Sequence, residues 1–170
     1  MLDSEWYFAY GSNMNPNRMI DRGLQWREVH SGWMDGVQLC FNKSSLAHPA
    51  VGHANIRVPS EFQCGEESRL RQTRVEGVLY RLTSPLMIAK LDRFEHTPIN
   101  YSRELFAISS YVNDSSLEQI YAWTYIANPA VLKEGLLPDA TYLSHLLAGE
   151  PWLTGKYHAT LQATPVFAPQ

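Results

Sequence analysis

Strand-length apolar runs parted by short turns dominate this 170-residue chain. "EWYFAY" (5–10) reads as a buried strand, and "VEGVLYRL" (75–82) alternates and reads as another strand. Residues 26–30 and 36–42 read as two strands with "SGWMDG" as the turn between them, and "ANIRVPS" as a further strand with a proline at its edge. Residues 101–112 and 118–127 form a hairpin around Asn113-Asp114. Strands outnumber helices, and most neighbours can pair antiparallel, which argues against an alternating βαβ array. The expected fold is a mixed α/β (α+β) one, a small barrel-like mixed sheet flanked by helices.

The helices are marked by their ends. In "NPNRMIDRG", Asn15 caps, Pro16 takes the first position and Gly23 stops the helix. "SPLMIAKLDRFE" is the clearest helix, capped by Ser84 with Pro85 first. A third follows Pro138, capped by Asp139 and closed by Gly149, with Tyr142, Leu143, Leu146 and Leu147 on one apolar face. "NKSSLAHPAVGH" reads as a loop, and residues 61–74 as an exposed, polar excursion. The length suits one domain over 1–170, its motifs within about 5–149 and an extension over 151–170.

Composition narrows the function classes. A chain 45% hydrophobic and 18% charged is ordinary for a globular protein, and a net charge of −3 gives no basic footprint for nucleic acid. "MLDSEW" carries acids where a signal peptide needs basic residues, and no apolar run could span a bilayer. Cys40 and Cys64 sit in unrelated contexts and read as reduced thiols of a cytoplasmic protein. Nine tyrosines could supply hydroxyls to a lined pocket.

Two stretches carry chemistry. Gly11, Ser12 and Asn13 follow the first strand and precede a helix, so their amides can form a nest for an anion or a developing oxyanion. Gly11 would let a ligand approach the backbone, and Gly and Asn tolerate positive φ. The same residues also make an ordinary strand-to-helix turn. Ser12 lacks the G-x-S-x-G elbow of a nucleophile, and neither a P-loop nor a dinucleotide fingerprint is present.

Glu95 ends the clearest helix with Ile88 and Leu91 seven and four positions before it, which turns it inward, while Asp92 and Arg93 face elsewhere. Desolvation and the negative helix end would both raise its pKa, as a proton shuttle near neutrality requires. The plainer alternative is a solvated Glu95, or one paired with Arg103. The six histidines show no i, i+4 zinc pattern and have no accompanying Cys pair, which argues against a metal site. His96 reads as a helix-end residue.

"YFAYGSNM" resembles the opening signature of the γ-glutamylcyclotransferase family, which includes the γ-glutamylamine cyclotransferases and the AIG2-like plant proteins. "LCFNKSS", "GHANI", "VEGVLYRLT", "LDRFEHTPINYSR", "AWTYIA" and "PDATYLSHLLAG" resemble its later segments in family order, from about Tyr7 to about Gly149. The excursion at 61–74 and the tail after Pro151 depart from the pattern. The resemblance implies release of 5-oxoproline from a γ-glutamyl compound, Glu95 as the acid/base, Tyr10, Gly11, Ser12 and Asn13 as the substrate cradle, and Tyr125 as a pocket-lining strand tyrosine. It implies no cofactor, and a small-molecule substrate as the partner. No nucleic acid or membrane is expected, and oligomeric state stays open, a homodimer among the options. A γ-glutamylamine cyclotransferase, a deacylase acting on a larger γ-glutamyl carrier and a non-catalytic binding module are the alternatives.

Overall fold

The computed structural model describes residues 4–45, 47–58, 73–112 and 116–168. Five strands close a barrel in the order β1 (Trp6–Ala9), β5 (Arg74–Leu82), β2 (Trp26–Asp35), β6 (Tyr101–Ser110), β7 (Glu118–Ala127). All these pairings are antiparallel except the closing one, where β1 meets β7 in parallel at Tyr7↔Trp123. β3 (Gln38–Ser44) and β4 (Gly52–Arg57) form a separate two-stranded sheet. It docks on the barrel: Tyr101 Oη donates to Ala54 O at 2.9 Å, and the Ala127 amide to Asn55 Oδ1 at 2.9 Å.

β1 shows the period-2 rule directly. Tyr7 and Ala9 enter one core cluster with Val78, Tyr80 and Leu91, while Phe8 and Tyr10 enter a second with Leu79, Ile56 and Ile108. All four are at most 5% exposed, so β1 is buried on both faces. That is why its sequence reads as a continuous apolar run.

Where two strands and a turn are expected over 26–42, β2 runs unbroken through Asp35, and the chain turns at Gly36 with φ 74°. Gly32 is not a turn residue. It pairs with Gly77 across the ladder, and Phe8 fills the space both leave. A Cβ on Gly77 would stand 2.9 Å from Phe8 Cε2 and 2.3 Å from Ala9 O. Glycine in these strands marks close approach, not chain reversal.

α1 (Pro16–Asp21) begins as expected, the Asn15 side chain accepting from the Asn17 amide at 3.0 Å. The second helix is shorter than its sequence pattern. A 3-10 turn over Pro85–Met87, capped by Ser84, leads into α2 (Ile88–Glu95). His96 ends it in the left-handed conformation at φ 51°. α3 (Ala140–Leu147) is capped by Asp139, which accepts from the Tyr142 amide at 2.6 Å. Gly149 does not close α3 by a left-handed turn, since its φ is −76°. It lets the helix end approach Met14, whose Cβ would lie 3.1 Å from a Cβ there.

The segment after Pro151 contains α4 (Gly155–Gln162), capped by Thr154 and anchored by the buried Leu161. Thr154 donates its amide and hydroxyl to Glu76 of β5 at 2.7 and 2.9 Å, which ties this segment to the barrel. Of the 61–74 excursion only Thr73 and Arg74 are described, and Arg74 already belongs to β5. Cys64 and Asn113-Asp114 lie outside the described residues.

Candidate active site

The turn after β1, the end of α2 and Tyr142 of α3 border the same cavities. Ser12–Met14 form a 3-10 turn closed by Met14 N–H to Gly11 O (2.9 Å) and Asn15 N–H to Ser12 O (3.3 Å). The turn's own bonds leave the leading amides at Ser12 and Asn13 unused, as the first amides of any helical turn are. Gly11 has φ −114°, so a left-handed backbone is not what it supplies. Ala54 Cβ and Tyr142 Oη would each lie 3.3 Å from a Cβ at that position. The residue is small because the protein itself packs against it.

Glu95 points inward, as expected, with its side chain 16% exposed. Its ion-pair partner is not Arg103. Arg22, just beyond α1, donates from Nη1 to Glu95 Oε1 at 2.9 Å and to Asn13 Oδ1 at 2.8 Å. Asn13 Nδ2 donates to Glu95 Oε1 at 3.2 Å and to Tyr7 Oη at 2.8 Å. Asn13 thus uses both ends of its amide to lock Glu95 and Arg22 together. Tyr80 Oη donates to Asn13 O at 3.1 Å and fixes the turn from below.

Asp92 does not face away from this region. It accepts from Tyr125 Oη at 2.8 Å and from Arg103 Nη1 at 2.9 Å. Tyr125 lines the cavity, with its hydroxyl engaged by α2. The Tyr10 hydroxyl is likewise committed, donating to the Tyr125 carbonyl. Both residues shape the wall, and neither has an idle hydroxyl.

Two adjoining cavities share Ser12, Glu95, Tyr101 and Tyr142. The inner one, about 30 Å³, is bordered by the Gly11–Asn13 turn, Tyr7, Tyr10 and Tyr125. The outer one, about 300 Å³, adds Arg18, Arg22, Lys43 and His53. Burial raises the pKa of Tyr7, Tyr10 and Tyr101, with Glu95 adding to it, and pushes Tyr142 up to about 12. These hydroxyls therefore stay protonated at neutral pH. The site is a set of neutral donors and cations around one carboxylate. Among the described residues no three His, Cys, Asp or Glu side chains are grouped to hold a metal ion.

All six residues singled out from the sequence, Tyr10, Gly11, Ser12, Asn13, Glu95 and Tyr125, line the inner cavity. The sequence reading missed Tyr7, Arg22, Tyr101 and Tyr142. Tyr7 lies inside the quoted signature but reads as core. Tyr142 reads as part of an apolar helix face, yet its hydroxyl accepts from the Ala54 amide at 2.9 Å.

A closed five-strand barrel with an inward carboxylate facing a strand-to-helix turn defines a class, and sequence comparison names it. The family model described as Gamma-glutamyl cyclotransferase, AIG2-like, matches residues 7–152, so the chain belongs to that family. No curated protein matches its sequence. Among solved structures, one described as Gamma-glutamyl cyclotransferase is 20% identical with a TM-score of 0.73, over 97% of this chain and 90% of that one. The human uncharacterized protein loc79017 is 21% identical with a TM-score of 0.74, over the same shares, 97% and 90%. A yeast γ-glutamyl cyclotransferase specific to glutathione is 12% identical with a TM-score of 0.62, over 92% and 93%. At these identities the likeness is one of fold.

Proposed function

We propose that this protein cyclises a γ-glutamyl compound to 5-oxoproline and releases the amine, with Glu95 moving the proton. The observation that carries this reading is the Glu95 carboxylate, oriented by Arg22 and Asn13 at the edge of the cavity that the Gly11–Asn13 turn borders. Family membership supports the reaction class.

The substrate brings its own nucleophile. Its α-amine attacks the γ-carbonyl carbon, a C–N bond closes the five-membered ring, and the old C–N bond breaks from the tetrahedral intermediate. Such a reaction needs the amine and carbonyl held together, and good orientation contributes up to ~7–11 kcal/mol. It also needs a base for the α-ammonium proton and an acid for the departing nitrogen. Glu95 takes the first proton and returns it to the leaving amine. The amides of the turn face the α-carboxylate or the developing oxyanion, where preorganised donors act most strongly.

Glu95→Gln keeps an oxygen for Arg22 and Asn13 and removes the proton carrier. The expected result is a folded protein, its thermal midpoint lowered because Arg22 loses its counter-charge, and a loss of ~10²–10⁴-fold in 5-oxoproline formation. The assay uses γ-glutamyl amino acids, γ-glutamyl-lysine and glutathione side by side, which also separates the cyclotransferase types. Equal turnover by the variant and the parent would remove the mechanism.

A further inference from the structure

The outer cavity carries more positive charge than its one carboxylate requires. Arg22 is bound to Glu95 and Asn13. Arg18 and Lys43 remain, in a chain whose net charge is −3. Lys43 sits on β3 opposite His53 and is only 5% exposed. Among the described residues no carboxylate stands within ion-pair distance of it, and its ammonium lies 5.7 Å from the centre of the Tyr101 ring. Arg18 is only half-buried, and among the described residues it too has no carboxylate within ion-pair distance. Its Nε is buried without a hydrogen-bond partner, and its Nη1 reaches only His145 Nε2, at 3.4 Å. Burial lowers the pKa of both side chains, the more so for Arg18 because Arg22 is near, while Glu95 pulls Lys43 back up.

Lysine and arginine rarely stay buried unless paired. A purely structural lysine would extend its stem and place the ammonium in water. Lys43 turns its ammonium into the cavity, whose wall Arg18 also lines. We propose that Lys43 and Arg18 form a subsite for a carboxylate on the leaving amine, so that the preferred substrates are γ-glutamyl amino acids or peptides rather than simple γ-glutamylamines. This rests on the cyclisation proposed above.

The placement decides which carboxylate is taken. The inner cavity, about 30 Å³ and bordered by the amide turn, has room for one small group of the glutamyl head, such as its carboxylate. Glu95 borders both cavities and protonates the departing nitrogen, so the leaving group lies on its outer side, where Lys43 and Arg18 are. A carboxylate one or two bonds beyond that nitrogen would meet them.

The test compares γ-glutamyl-alanine with γ-glutamyl-alaninamide, which differ only in the leaving group's charge. The parent protein is expected to favour the acid by about tenfold or more in kcat/KM, mainly through KM. Lys43→Gln is expected to shrink that ratio about fivefold or more, whatever it does to absolute rates. Damage to the fold would slow both substrates together and leave the ratio alone. Equal kcat/KM for the pair in the parent, or an unchanged ratio in Lys43→Gln, overturns the subsite while leaving the cyclisation standing. A third substrate, amidated at the glutamyl α-carboxyl, identifies the source of the anion. If Lys43→Gln abolishes discrimination against that compound instead, the anion is the glutamyl group's own and the proposal fails. Absence of 5-oxoproline from all three removes the cyclisation itself and the subsite with it.

Discussion

Arg22 and Asn13 show what a single residue contributes here. Arg22 and Glu95 have side chains 11% and 16% exposed, and one guanidinium nitrogen serves both the carboxylate and Asn13. Removing one partner of a mostly buried pair leaves the other charge unsatisfied. Arg22→Leu should therefore lose ~3–5 kcal/mol of stability and let Glu95 swing out of line. The same change should lower turnover by on the order of 10²-fold, as a misplacement of about 1 Å does elsewhere. Urea denaturation of Arg22→Leu, Glu95→Gln and the double variant checks this. The double variant is expected to be more stable than Arg22→Leu alone, because it no longer buries a lone carboxylate, and strictly additive losses would count against the pairing. The inward turn of Glu95 was legible from Ile88 and Leu91, because helical spacing is local information. Its partner was not. The sequence offered Arg103, eight residues on, as one alternative to a solvated carboxylate, whereas Arg22 is brought in from 73 residues away. Arg103 goes to Asp92 instead, which in turn holds Tyr125.

At the level of elements, the cradle is only as well placed as β1. That strand is four residues long and pairs with β5 along its length, and the cradle residue Tyr10 follows it directly. Gly77 stands opposite on β5, where a Cβ would press on Ala9 O and the Phe8 ring. Backbone cannot yield as a flexible side chain would. Gly77→Ala should cost about 1–3 kcal/mol through overpacking, and it should reduce turnover because the displaced carbonyl adjoins Tyr10. A lowered denaturant midpoint at unchanged m-value, with slower 5-oxoproline release, is the expected result, and a variant as stable as the parent would contradict this packing. Elements signalled by local chemistry were legible: the Asn15, Ser84 and Asp139 caps, the strand at β5, although it is buried on both faces rather than alternating, and the hairpin of β6 and β7. Gly32 and Gly149 were misread for a physical reason. Glycine is equally suited to a turn and to a tight contact, and only the tertiary partner, Phe8 or Met14, decides which. α4 gave a weak signal because its anchor is one buried leucine and a capping threonine bound to a distant Glu76.

The whole molecule encloses its cationic chamber between the barrel and the β3–β4 sheet, and that enclosure makes its stability depend on pH. His53 stacks on Tyr142, ring centres 4.6 Å apart, and faces Lys43, Arg18 and Asp139. Burial foremost, then Lys43 and Arg18, lower its pKa from 6.5 to about 4, against an opposing pull from Asp139. His145 is lowered in the same direction by burial and by Arg18 and Arg22. A histidine held neutral in the folded protein takes up its proton more readily once unfolded. Between about pH 6.5 and 4 the unfolded chain thus binds more protons, and stability rises with pH. The contribution is complete above pH 6.5 and disappears as the pH falls toward 4. At ~1.4 kcal/mol per pH unit the span for His53 amounts to no more than ~3.5 kcal/mol. The depressed carboxylates, Glu28 held by Arg81 and Glu134 by Asn42, act only below their ordinary 4.5. The window from 6.5 to 4.5 therefore belongs to the histidines. His53→Gln, which cannot titrate, should flatten the stability curve across that window in urea titrations at half-unit steps of pH. Its curve should meet the parent's in slope above about pH 7, where neither side chain exchanges a proton. Parallel curves from pH 4.5 to 6.5 would mean that His53 is not held neutral by the chamber, and that the enclosure of Lys43 and Arg18 around it is looser than their burial indicates.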